Sequence, residues 1–278
     1  MKKAINFTYV FMILSFFFLF CTSDDDKGND SGRTDTTQDI QWTASETVNI
    51  GPDNLTIEKN GISIEFQSSQ ITNSYDIQIY KGQGSSSYYQ DAETEILGLE
   101  FQTKPSENIQ IQVSIETANP NENTVYFGIR DKSKSDGVIS QIVIPTDAAI
   151  SGENLTAEIT LPFGDIQSIE SGSSLKRNMD DGYIFGLFGG KKPIKDSTEH
   201  FVLEKPAANS SNLTTYLGYL EEAYSKLKTL GFPMDSISAA AKGKIPCYIG
   251  NTGKNSQNES NLGMYYMISN HVYITDDE

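Results

Sequence analysis

The sequence predicts a mainly β fold: an antiparallel β-sandwich followed by a small α/β unit, one helix on a short sheet. Three observations carry this. Between about Trp42 and Glu170, apolar and polar residues alternate with a period of two in at least seven short runs. Turn signals separate those runs. From about Ser197 the period changes to that of a helix and then returns to strands. Strict alternation means one face on a core and one in water, the pattern of antiparallel sheets.

The runs follow in order. Ile62-Ser-Ile64-Glu-Phe66, Tyr75-Asp-Ile77-Gln-Ile79 and Leu97-Gly-Leu99-Glu-Phe101 alternate, and Ile109 to Ile115 is the most regular. Val125 to Ile129, Val138 to Ile144 and Leu155 to Leu161 complete the set. Lys59-Asn60-Gly61, Pro105-Ser106, Asn119-Pro120-Asn121 and Ser151-Gly152 supply the turns between them. Short strands at this spacing without intervening helices read as a sandwich over residues 42–170. The Gly61–Phe66 run, followed by an alternating strand and by Phe101-x-x-x-Pro105, resembles ZU5-like sandwich modules.

Residues 171–196 read as a bridge. Within it Tyr183 to Gly190 is apolar but broken by three glycines, and is expected as a strand tucked between two units rather than an exposed binding loop. Residues 197–278 then form the α/β unit. Phe201-Val202-Leu203 is a strand, and Leu213, Leu217, Leu220, Tyr224, Leu227 and Leu230 place one apolar stripe on a helix. Ser211 or Asn212 caps its start, Lys226 and Lys228 suit its negative end, and Gly231 stops it. Strands are expected at Lys244–Ile249, about Gly263–Ile268 and His271–Ile274.

The N-terminus is organised differently. Lys2 and Lys3 precede the apolar run Ala4–Phe20, which ends at Cys21-Thr22-Ser23-Asp24-Asp25-Asp26. This order is that of a secretion signal and resembles a bacterial lipoprotein signal. The resemblance implies that residues 1–21 comprise signal peptide and a lipidated Cys21, with outer-membrane attachment and surface exposure. Phe20 stands where that pattern has a small residue, so simple secretion with cleavage before Asp24, or an uncleaved anchor, are the alternatives. Residues 22–41 read as an acidic disordered tether, too polar to offset its ordering entropy.

Charge narrows the partners. Without residues 1–20, which carry two lysines and no acids, 19 basic side chains face 37 acidic ones, a net charge of about −18. Nucleic acid is excluded by this balance, because phosphate binding needs clustered Lys and Arg. Membrane attachment is then expected through the lipid on Cys21 alone. Cys247 is left without a disulfide partner and reads as a buried, inert thiol in an apolar strand.

The last unit resembles the opening of the catalytic domain of gluzincin-type zinc metallopeptidases. The matching residues are His200-Phe201, Tyr219-Leu220-Glu221-x-Ala223-Tyr224 with Leu227, Leu230, Gly231 and Phe232, then Lys244-Ile245-x-x-Tyr248-Ile249, Gly263-x-Tyr265 and Val272-x-Ile274. In that family the next helix carries His-Glu-x-x-His, whose histidines hold zinc. No such motif occurs in this chain, and its only histidines, His200 and His271, have no His or Glu at ligand spacing. The adjacent pairs Asp180-Asp181 and Glu221-Glu222 read as solvated. No catalytic residue, metal ligand or cofactor is expected. The functional expectation is a surface-displayed bacterial lipoprotein, catalytically inactive, that binds or adheres to a protein or glycan. The alternative is a truncated zinc metallopeptidase whose active-site half is missing from this chain.

Overall fold

The computed structural model describes residues 40–84, 87–132, 141–164, 182–236, 243–249, 263–266 and 271–274. Cys21, nearly all of the expected tether and the Asp180-Asp181 pair lie outside the described residues. In chain order the first strands are β1 (Gln41–Ile50), β2 (Thr56–Lys59), β3 (Ile62–Phe66), β4 (Tyr75–Gln83) and β5 (Ile96–Phe101). They continue with β6 (Ile109–Glu116), β7 (Asn123–Asp131), β8 (Gln141–Pro145), β9 (Ala149–Ser151) and β10 (Asn154–Leu161). β11 (Tyr183–Lys191), β12 (Ile194–Ser197) and β13 (Phe201–Lys205) lead to helix α1 (Leu213–Thr229). β14 (Ile245–Ile249), β15 (Gly263–Tyr266) and β16 (His271–Ile274) follow.

The mainly β fold expected from the alternation is present. A six-stranded antiparallel sheet, order β1-β4-β5-β11-β7-β8, faces a five-stranded one, order β2-β3-β6-β10-β9. Between them lies one core in which Ile64, Phe66, Ile77, Leu99, Val113 and Phe185 are at most 1% exposed. Alternation in β6 shows why: Ile109, Ile111, Val113 and Ile115 are buried while Gln110, Gln112 and Glu116 are exposed. The β2–β3 hairpin turns at Asn60 and Gly61, both at positive φ (51° and 77°), as a two-residue hairpin requires.

β11 changes the organisation expected for residues 171–196. It is a strand, but it lies inside the six-stranded sheet between β5 and β7, with Phe185 opposite both Leu99 and Ile129. Tyr183, Phe185 and Leu187 enter the sandwich core, while Ile184 and Phe188 are buried on the outward face. A strand buried on both faces has no period of two, which is why its neighbours are not legible from its own residues. A fragment ending near Glu170 would lack this central strand. Ile194–Ser197, assigned to the same bridge, is instead the edge strand β12 of the C-terminal sheet.

That third sheet has the order β12-β13-β14-β16-β15, with β13, β14 and β16 parallel. α1 covers one face of it: Leu213, Leu217, Tyr224 and Leu227 pack with Phe201, Leu203, Cys247 and Ile249. Asn212 caps the helix, its Oδ1 accepting from the N–H of Thr214 and Thr215. Gly231 ends it at φ +89°. Leu230, counted in the apolar stripe, is 66% exposed, because it is the C-cap residue and lies past the packed turn. The opposite face of the sheet turns toward the sandwich, where Tyr248 joins Tyr126 and Phe188 in a second buried cluster.

Candidate functional site

Pairing across the six-stranded sheet sets one row of residues on its outward face. Tyr80 of β4 is opposite Gly98 of β5, Gly98 is opposite Gly186 of β11, and Gly186 is opposite Gly128 of β7. Three consecutive glycines leave a trough in which no side chain rises from the backbone. Glycine inside a strand weakens the strand and marks close approach of another group. That group is Trp42, from β1 at the sheet edge, where it pairs with Gly82. A Cβ on Gly98 would stand 2.6 Å from Trp42 Cζ3, and one on Gly186 3.1 Å from its Cη2. The indole therefore rests on the backbone of two central strands.

Trp42 is only partly buried and packs beside Ile40, Tyr89 and Ile96. Its Nε1 is buried and has no hydrogen-bond partner among the described residues. An unpaired buried donor costs about 1–3 kcal/mol, so the ring is seated by packing alone. Tyr89 closes one end, its hydroxyl 3.4 Å from where a Gly186 Cβ would be and its ring 5.1 Å from that of Phe188.

A polar group lies at the other side of the trough. Glu100, two residues along β5 on the same face as Gly98, is 7% exposed. The Tyr80 hydroxyl donates to its Oε2 and Lys132 Nζ donates to its Oε1 at 2.5 Å. Burial, with the carboxylate of Glu100 adding to it, pushes the Tyr80 phenol well above its ordinary range. Lys132 balances the charge of Glu100 and keeps 38% of its side chain exposed, so the pair is open to solvent on the lysine side. Arg130, also on the outward face, donates to the carbonyl of Ile40 at 3.3 Å and holds the start of β1 over the sheet.

A second cluster sits in the C-terminal unit. The Glu221 carboxylate accepts from the backbone N–H of His200 at 2.9 Å and meets His200 Nδ1 at 2.7 Å. The imidazole stacks on Tyr224 with centroids 3.7 Å apart. Partial burial pushes the Glu221 carboxyl up, but the nearby Thr198 hydroxyl and the hydrogen bonds with His200 outweigh this and hold it below the usual range. Glu221 is thus not a solvated acid as its adjacency to Glu222 suggests; Glu222 alone is, paired with Lys226 on the helix surface. Twenty-one residues separate Glu221 from His200, a pairing made by the helix folding back on β13. The arrangement orients an imidazole, yet Nε2 faces the Glu199 carboxylate at 3.8 Å rather than a hydroxyl or thiol. Among the described residues no three His, Cys, Asp or Glu side chains are grouped to hold a metal ion. Cys247 is buried, and burial pushes its thiol up to about 12, which removes the thiolate that reactivity needs.

The two units are joined by a third polar group. Asp91, 2% exposed at the end of the 3-10 turn Ser87–Asp91, accepts from the backbone N–H of Ala207 and Ala208, the latter at 3.0 Å. Burial raises its pKa more than these bonds and the nearby Lys191 lower it.

Cys21, the one site residue read from the sequence, lies outside the described residues. Trp42, Gly98, Gly186, Glu100, Tyr80 and Lys132 were not singled out by sequence reasoning. The signals in the chain were its sole tryptophan and the glycines at outward positions of Leu97-Gly-Leu99 and Phe185-Gly-Leu187. No protein-family model matches the chain, and no curated protein matches it. Among solved structures, a carbohydrate-binding module described for its specific mannan recognition is similar at 10% identity. The similarity covers 54% of this chain and 88% of that one, with a TM-score of 0.13, a level that assigns neither fold nor ligand.

Proposed function

We propose that this chain is a catalytically inactive binding protein, displayed at the bacterial surface by a lipid on Cys21, with the part of the outward face of the six-stranded sheet around Trp42 as its binding face. One observation carries the binding role: Trp42 laid on a glycine floor beside the Tyr80–Glu100–Lys132 group. The glycines let the Trp42 ring lie flat against the backbone of β5 and β11, and the ring keeps part of its surface exposed. A flat aromatic surface with a few fixed polar groups at its rim is the usual composition of a ligand site. The apolar run ending at Cys21 and the aspartates after it support the anchor.

Anchoring is tested by palmitate labelling in a bacterial host, with Cys21→Ser as the control. The reading expects label and membrane retention in the wild type only, and protease added to intact cells should cut the wild-type protein. Equal labelling of both forms, or a mature N-terminus at Asp24, refutes the lipid anchor. Purified protein should leave casein intact; cleavage that copurifies with the chain and is abolished by a chelator refutes the inactive reading.

A further inference from the structure

Resting on that binding reading, we infer that the Trp42 trough takes an uncharged glycan, with one sugar ring stacked on the outward face of the indole. The floor face of the ring is against Gly98 and Gly186, and its Nε1 edge is buried. The exposure Trp42 retains therefore lies away from the floor. A pyranose matches such a surface: one face of it is a set of C–H groups, which the electron-rich face of an aromatic ring attracts. Its rim is a set of hydroxyls that both donate and accept.

The neighbouring group meets that need. The Glu100 carboxylate is nearly buried and, among the described residues, accepts from Tyr80 and Lys132. Lys132 carries three donors, of which Glu100 takes one among the described residues, and is the exposed member. Lys132 offers donors from within one charge-balanced pair, which favours a neutral ligand. The net charge of −16 disfavours an anionic one. Nε1 has no hydrogen-bond partner among the described residues, so a shift of the ring toward a ligand oxygen breaks none of the described bonds.

An extended peptide is the poorer fit. Peptides that pair with sheets do so at an edge, where backbone groups are free. The floor here is β5 and β11, both central strands whose backbone groups are already paired on each side. A ligand crossing them finds ring faces and side chains, not a ladder.

Trp42 is the only tryptophan, so its fluorescence reports this site and no other. The experiment titrates the Cys21→Ser full chain with linear uncharged hexasaccharides of gluco, manno and xylo configuration, and separately with a mixed peptide library. At least one hexasaccharide should change the emission saturably. By calorimetry Trp42→Ala should weaken that saccharide at least about tenfold and Lys132→Ala about fivefold. Lys132 is exposed and outside both cores, so its variant carries the test if Trp42→Ala does not fold. Undiminished saccharide binding in Lys132→Ala, or in a folded Trp42→Ala, overturns the inference. A response to peptides and to no saccharide overturns the ligand class and leaves the binding face standing; silence to both overturns both.

Discussion

Replacing Asp91 by alanine should loosen the seam between the sandwich and the C-terminal unit. Its carboxylate is the acceptor for two backbone N–H groups of the other unit, at Ala207 and Ala208. Each bond to a charged group contributes about 1.5–3 kcal/mol net, so two set an upper bound near 6 kcal/mol. Two effects reduce it. Burial opposes the charged carboxylate, as its raised pKa records. Ala207 is only half-buried and Ala208 exposed, so the freed N–H groups find water. The expected loss is then about 2 kcal/mol, roughly thirtyfold in the docking equilibrium. The apolar part of the seam, Tyr248 against Tyr126 and Phe188, remains. Hydrogen exchange should show faster exchange at Ala207 and Ala208 and across β13, with β6 of the sandwich unchanged. The sign of the pH effect follows from the raised pKa: Asp91 contributes stability that is present below the unfolded carboxyl pKa of about 3.9 and is lost as pH rises through the folded value. Mild acid should therefore not open the seam through this residue. Unchanged exchange in Asp91→Ala would mean that Asp91 does not hold the two units together, and a wild-type seam that opens on mild acidification in an Asp91-dependent way would mean that its folded pKa is not raised.

Three other outcomes are expected. Gly98→Ala places a methyl 2.6 Å from Trp42 Cζ3, so the indole must lift; emission should shift to the red with a stability loss of about 1–3 kcal/mol, read by urea unfolding. Cys247, with its thiol at about 12, should resist alkylation at pH 8 until the protein is unfolded, and labelling of the native chain would contradict its burial. Glu221, whose pKa is lowered, contributes stability present above its unfolded pKa and lost as pH falls through the folded value. Glu221→Gln should flatten that part of the acid unfolding profile of α1, measured by circular dichroism, and Glu222→Gln, at a carboxyl also lowered by Lys226 but exposed and screened by solvent, should do so less.

Much of the architecture was legible because its signals are local. Ile109 to Ile115 declares a half-buried strand through a period that needs no knowledge of partners, and β6 is that strand. Leu213, Leu217, Tyr224 and Leu227 do the same for α1, with Asn212 and Gly231 marking its ends. A cap or a left-handed stop is a property of a few consecutive residues. What the tertiary structure alone decided is which distant segments share a face. β11 reads as an apolar run wherever it sits, and only pairing with β5 and β7 makes it central. Gly98, Gly128 and Gly186 are unremarkable in three separate strands and become a trough because register aligns them. Glu221 meets His200 and Asp91 meets Ala207 across 21 and 116 residues, as hydrogen bonds between groups whose sequence neighbours contain no trace of the partner. Periodicity records whether a side chain faces a core; it does not record what lies on the other side of that core, and the candidate site is built from that second kind of information.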